Sequence, residues 1–155
     1  MEFPVQTANP AKVETACLAL PVFKDGDLLP AAAKLNDASE RLIGQLIERG
    51  DFSADLGKVQ MIPFAPGLNA DRLLLVGLGE RDKCNEGSFR KALDATFAAL
   101  SELPASEASV ALTDVPVPHR DTQWKARMIS EAATRSIYRF TEFKSSPAPA
   151  PRLEQ

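Results

Sequence analysis

The chain has 155 residues, of which 45% are hydrophobic and 25% charged, a composition that fits one globular domain and excludes a wholly disordered chain. No apolar run approaches the ~20 residues of a bilayer span, and the start Met1-Glu2-Phe3-Pro4 lacks the basic and apolar regions of a signal peptide, so a cytoplasmic protein with no membrane partner is expected. A net charge of −3 excludes a global basic field for nucleic acid and leaves only local patches.

Phe3 to Thr7 is β-prone but interrupted by Pro4, as in an edge strand, and Asn9-Pro10 marks a turn. Thr15 to Val22 is apolar enough for a buried strand, closed by the polar turn Lys24-Asp25-Gly26-Asp27. Pro30 suits the first turn of a helix, where its missing N–H would be unpaired anyway. A second helix carries Leu42, Ile43, Leu46 and Ile47 on one stripe, with Asp37 or Ser39 as the expected cap and Gly50 just past its end.

Lys58 to Phe64 and Arg72 to Val76 flank Pro66-Gly67 and Asn69, which predicts an antiparallel hairpin. Leu73 to Val76 is apolar on both faces, as in a central strand covered from both sides. Asn85 is placed to cap a helix with Phe89, Leu93, Phe97 and Leu100 on one face, stopped by Pro104. Ser109 to Thr113 is a further strand. Asp121 or Thr122 then opens a long helix with two apolar ridges, one through Trp124, Met128 and Ala132, the other through Ile129, Ala133, Ile137 and Phe140. The order β-β-α-β-β-α-β-α predicts an α/β domain with a mixed central sheet flanked by helices on both faces. Ser145 to Pro151 alternates alanine and proline and reads as a semi-rigid linker.

Candidate chemistry is sparse. Gly77-Leu78-Gly79 follows a strand and precedes a helix, where α/β folds cradle phosphates. The third glycine of that fingerprint is missing, and Glu80 and Asp82 would repel a phosphate, so the glycines read as a strand exit. The acidic pairs Asp25/Asp27 and Asp51/Asp55 fall in polar turns with no histidine close in sequence, and His119 stands alone. Cys17 and Cys84 read as reduced thiols; Lys83 and the following helix start would lower the Cys84 pKa. Residues 120–144 carry six basic side chains against three acidic ones. Within that segment Lys125, Arg127, Arg135 and Arg139 are the candidate nucleic-acid contacts, although Glu131 and Arg135 also suit an ordinary helical ion pair.

Taken in order, MEFPVQTANPAKVETACLAL, ERLIGQLIERGDFSADLGK, DRLLLVGLGERDKCNEGSFRKAL and TQWKARMISEAATRSIYRFTEFKS resemble the N-terminal domain of bacterial leucyl aminopeptidases of the M17 family. The resemblance covers nearly the whole chain. It implies a macro-domain-like fold for residues 1–144 and a linker, 145–155, to a C-terminal catalytic domain absent from this chain. That absent domain would hold two divalent metal ions, zinc or manganese, which polarise the peptide carbonyl and activate a bridging water. The family's NTDAEGR stretch does not occur here, so no catalytic, metal or cofactor residue is assigned to this chain. The resemblance further implies a homohexamer of the full-length protein, with the N-terminal domain shaping access and contacts. DNA binding through the basic helix, or an ADP-ribose-type nucleotide site, are the alternative functions.

Overall fold

Alternate side chains of the two central strands part to opposite sides of the sheet and divide the interior in two. The computed structural model describes residues 9–26, 28–103 and 107–142, the stretch 137–142 as backbone only. Strand β1 (Leu18–Val22) and strand β3 (Leu73–Gly77) are buried throughout. Leu18, Leu20, Val22, Leu73 and Leu75 face one side, where they pack on Ala32 and Leu35 of α1 (Pro30–Ala38), Ile43 of α2 (Leu42–Glu48) and Phe52. Ala19, Leu74 and Val76 face the other, against Phe89, Leu93 and Phe97 of α3 (Glu86–Ser101) and Trp124, Met128 and Ala132 of α4 (Thr122–Glu142). A strand covered by helices on both sides must be apolar at every position, which is why the run 73–76 has no polar alternation.

The sheet order is β2-β3-β1-β4, with β2 at Val59–Ile62 and β4 at Ser109–Val110. β1 pairs in parallel with both β3 and β4, and β2 pairs antiparallel with β3, so the sheet is mixed. Hairpin, central strand and two-sided helix cover agree with the sequence-based expectation. The first strand is shorter than expected, beginning at Leu18, and β4 stops at Val110. The predicted strand at Phe3–Thr7, Pro104, the ridge residues Ile137 and Phe140 and the segment 145–155 lie outside the described residues or side chains.

The helix caps divide. Asn85 accepts from the Ser88 N–H at 2.9 Å while the Ser88 hydroxyl accepts from the Asn85 N–H at 2.8 Å, a reciprocal capping box. The Asp121 carboxylate accepts from the Trp124 N–H at 2.8 Å and so caps α4. Neither Asp37 nor Ser39 caps α2. Glu40 and Arg41 both take left-handed φ, 59° and 62°, which turns the chain back so sharply that Asn36, still in α1, accepts from the Gly44 N–H at 3.0 Å. Ser39 instead donates to the Leu35 carbonyl at 2.7 Å. Gly50 has the positive φ, 78°, expected just beyond a helix end.

Among the described residues no helix is long and apolar enough to cross a membrane.

Candidate functional site

In open α/β sheets ligands bind beyond the carboxyl ends of parallel strands, where neighbouring strands send their connections to opposite faces. β1 leads to α1 on one face and β3 leads to α3 on the other. Their carboxyl ends, Phe23–Asp25 and Gly77–Lys83, therefore form the crest where a nucleotide would be expected.

The crest is closed by the chain itself. The Leu78 N–H donates to the Val22 carbonyl and the Lys24 N–H to the Gly79 carbonyl, both at 2.9 Å, so the β1–β3 ladder continues past the strands. On the other flank, the segment before β2 crosses over the end of β3. The Gly77 N–H donates to the Lys58 carbonyl at 2.7 Å, the Gly57 N–H to the Gly77 carbonyl at 3.1 Å, and the Gly79 N–H to the Ala54 carbonyl at 3.0 Å. Gly57, with φ 83°, and Lys58 thus oppose the single residue Gly77, a bulge of the kind that needs a left-handed glycine. A Cβ at Gly77 would overlap the Asp55 carbonyl oxygen. The glycines of the turn admit this crossing segment, and the N–H groups of residues 77, 78 and 79 are all engaged within the chain, so these three are not available to cradle a phosphate.

Six charged side chains over the crest form three pairs. Lys24 meets Asp55 at 2.8 Å, Lys83 meets Glu80 at 2.7 Å, and Arg81 meets Asp25 at 3.1 Å. The Arg81 guanidinium stands 4.3 Å over the ring of Phe23. The hydrogen bond from Lys24 holds the Asp55 carboxyl below its usual range, and that from Lys83 does the same for Glu80.

Of the four basic residues singled out in the sequence, Lys125 is buried while Arg127 and Arg135 are exposed. Lys125 is 7% exposed, and its Nζ donates to the Val115 carbonyl at 2.8 Å, so it faces inward rather than outward. The reason is helical phase: Lys125 adjoins the buried Trp124 and precedes the buried Met128 by three positions. Arg127 is exposed beside Glu131 at 3.9 Å, and Arg135 reaches Asp94 of α3 at 3.3 Å. The Arg139 side chain lies outside those described. An open depression at the start of α4 is lined by His119, Arg120, Asp121, Gln123, Trp124 and Arg127. There Arg120 is committed to Glu86 and to the Trp124 ring, 5.1 Å away, and Asp121 to its cap.

The thiols behave as interior groups. Burial pushes Cys17 up to about 11. Burial also raises Cys84, outweighing the Ser88 hydrogen bond and the charges of Arg81 and Lys125; the expected lowering by Lys83 and the helix start is not what the structure produces. Among the described residues no three histidine, cysteine, aspartate or glutamate side chains converge. With Asp25, Asp55, Glu80, Glu86 and Asp94 each facing a basic partner, the described residues do not fit a two-metal centre.

The sequence reading missed two features. One is the segment 54–58 that seals the crest, signalled only by Gly57. The other is Phe64 in the β2–β3 hairpin, 90% exposed. Its signal is a lack of charge: from Val59 to Ala70 no residue is ionisable, the longest uncharged run in the chain.

A family model described as the cytosol aminopeptidase family, N-terminal domain, matches residues 19–147. A probable cytosol aminopeptidase of Chromohalobacter salexigens is 70% identical over 99% of this chain, and one of Methylobacillus flagellatus is 38% identical over 96%. The chain spans about 30% of the length of each. Among solved structures, a tomato leucine aminopeptidase mutant superposes with a TM-score of 0.68 at 20% identity, covering 92% of this chain and 29% of that one. The macrodomain of Mycobacterium tuberculosis DarG superposes at 0.67 and 12% identity, covering 84% and 88%. Both likenesses concern the fold alone.

Proposed function

The chain belongs to the cytosol aminopeptidase family, as its N-terminal domain, and from that premise we propose that it is a non-catalytic domain serving a C-terminal catalytic domain. In this reading the whole protein is a cytoplasmic, metal-dependent exopeptidase that removes N-terminal residues from peptides. The observation that carries the non-catalytic part is the sealed crest: the place where this fold would hold a ligand is occupied by residues 54–58, with its backbone donors engaged. The two zinc or manganese ions belong to the remainder of the protein, and no step of the reaction falls to residues described above. The Ser-Pro-Ala-Pro segment at 145–151 serves as the connector between the two parts. The hexamer expected of the full-length protein is carried mainly by that remainder, so light scattering of the 155-residue chain should give a monomer.

Two proteins test this: the 155-residue chain, and a long chain in which it is continued by the remainder of the Chromohalobacter salexigens relative. With manganese or zinc added, the long chain is expected to hydrolyse a leucine amide and the short chain is expected not to. Metal-dependent turnover by the purified short chain, abolished by a point change within it, would overturn the reading.

A further inference from the structure

The two ends of the sheet differ in what covers them. At the crest, three ion pairs and the N–H groups of residues 77–79 are satisfied internally. At the opposite end, the hairpin after β2 exposes Phe64 at 90%, beside Pro63 and Pro66, which are exposed as well. The loop is not loosely held: Ala65 and Leu68 pack on the α1 side of the sheet, and a Cβ at Gly67 would overlap the Ala38 carbonyl oxygen. Phe64 is thus held out by an anchored loop.

The adjoining strand is also unfinished. β2 is an edge strand. Because Lys58 bonds to Gly77 across the ladder and the pattern alternates, the backbone groups of Val59 and Met61 point away from β3. Val59 is 38% exposed. Edge strands that face water are ordinarily guarded by charged side chains. This one has none between Val59 and Ala70, in a chain that is 25% charged. An uncharged edge continuous with an exposed phenylalanine has the composition of a surface that another part of the protein covers.

The course of the chain identifies that part. α3 leaves the crest directly after Lys83, and α4 runs parallel to it: Arg120 meets Glu86, Trp124 meets Phe89, Arg135 meets Asp94, and the Ser136 hydroxyl donates to the Phe97 carbonyl. α4 therefore ends, at Glu142, at the end of the sheet away from the crest. β2 runs the same way, from Val59 opposite Val76 to Ile62 opposite Leu73, and Phe64 follows two residues later. Exit helix and exposed hairpin share one end of the domain. Relatives that this chain spans by only about 30% carry much more chain beyond it, and that chain departs from the end where Phe64 is presented.

We propose that the Phe64 hairpin and the free edge of β2 form the docking face for the remainder of the longer chain. The proposal rests on the reading of this chain as an N-terminal domain that more chain follows.

Thiol accessibility tests it. Phe64→Cys, and Asp82→Cys at the crest as reference, are placed separately in the 155-residue chain and in the long chain described above, and labelled with a maleimide. Both positions are exposed, so neither substitution threatens folding, and the buried Cys17 and Cys84 contribute little background. Expected is labelling at position 64 at least tenfold slower in the long chain than in the short one, with position 82 equally fast in both. Equal rates at position 64, or protection at 82 instead, would overturn the proposal. Protection at 64 that appears in the short chain as its concentration rises would assign the face to a second copy and overturn it too. Should position 64 remain reactive while only the long chain hydrolyses a leucine amide, the docking face fails and the functional reading stands.

Discussion

The crest and the hairpin end are built from the same sheet, yet they solve opposite problems. At the crest, the carboxyl ends of β1 and β3 would leave N–H groups pointing into a cleft, and the chain fills the cleft with its own residues 54–58. At the hairpin end an apolar ring is held out into water by a loop anchored on both sides. Self-satisfied polar groups at one end and an unsatisfied apolar one at the other show that a single sheet can be finished in opposite ways at its two ends, so the fold alone does not say which end carries contacts to spare.

The sharpest way to break the crest is Gly77→Ala. The backbone of Gly77 is ordinary extended strand, so the cost is purely steric: the methyl would overlap the Asp55 carbonyl in a segment bonded on both flanks. A central strand cannot shift to relieve this without disturbing both halves of the core. We expect a loss of about 3 kcal/mol or more, read as a fall in the urea midpoint. The counterpart at the hairpin end, Gly67→Ala, meets both a clash with Ala38 and a φ of 77°. It should cost less, about 2 kcal/mol, because an adjustment there displaces one loop at the edge of the fold and not a central strand shared by both halves of the core. A smaller effect at 77 than at 67 would mean that the crossing segment is loosely held.

Next in size is Lys125→Met, which keeps the apolar stem and removes the ammonium from the Val115 carbonyl. Leaving that buried carbonyl without its donor should cost about 1–3 kcal/mol. A residue acting only at a surface for nucleic acid would show no change in the midpoint.

Lys125 also marks where the sequence stopped being legible. Turn residues placed the hairpin, an unbroken apolar run placed the two-sided central strand, and the helical period placed the buried face of α3 and the Trp124–Met128–Ala132 ridge of α4, since burial and turn chemistry both leave marks in a short window of sequence. Local pattern also located Asn85 at its cap and narrowed the start of α4 to Asp121 or Thr122, of which Asp121 is the cap, since capping is local chemistry. It did not foresee an inward lysine, because a single charged residue beside Trp124 carries no sign of the carbonyl that Val115 brings from another loop. Nor could it see that Asn36 serves α2, a matter settled by two left-handed residues, Glu40 and Arg41, whose side chains do not announce that geometry. Gly77-Leu78-Gly79 was read correctly as a strand exit, but from missing glycine and added charge; the physical cause, segment 54–58 lying over it, is a long-range contact that no local pattern encodes.

Acid weakens the crest more gently. The carboxyls of Asp55 and Glu80 are held below their usual range by Lys24 and Lys83. Their stabilising contribution is therefore complete above the ordinary carboxylate pKa and disappears as the pH falls through the lowered folded values. These groups are exposed, so the effect is small and salt screens it further. Comparing Asp55→Asn/Glu80→Gln with the parent should give a slight difference in thermal midpoint at pH 7 that shrinks as the pH falls below the ordinary carboxylate range. A difference that grows on acidification would show that the pairs are not what lowers these carboxyls.

The smallest expected effect lies at the other end and is the most informative for the comparison. In the 155-residue chain, Phe64→Asp removes a side chain that already faces water over nine-tenths of its area. Little burial is lost, the backbone has no special conformation there, and the change supplies the charge that this edge lacks. The stability of the short chain should stay within about 0.5 kcal/mol of the parent, and its solubility should rise. In the long chain the same aspartate would have to be buried unpaired against whatever covers the hairpin, so there the variant should lower the thermal midpoint or loosen the junction to proteolysis. Equal indifference in both chains would return Phe64 to the class of isolated surface apolar residues that have no partner. A large loss in the short chain would instead show that the hairpin tip supports the domain's own core, and the contrast between its two ends would collapse.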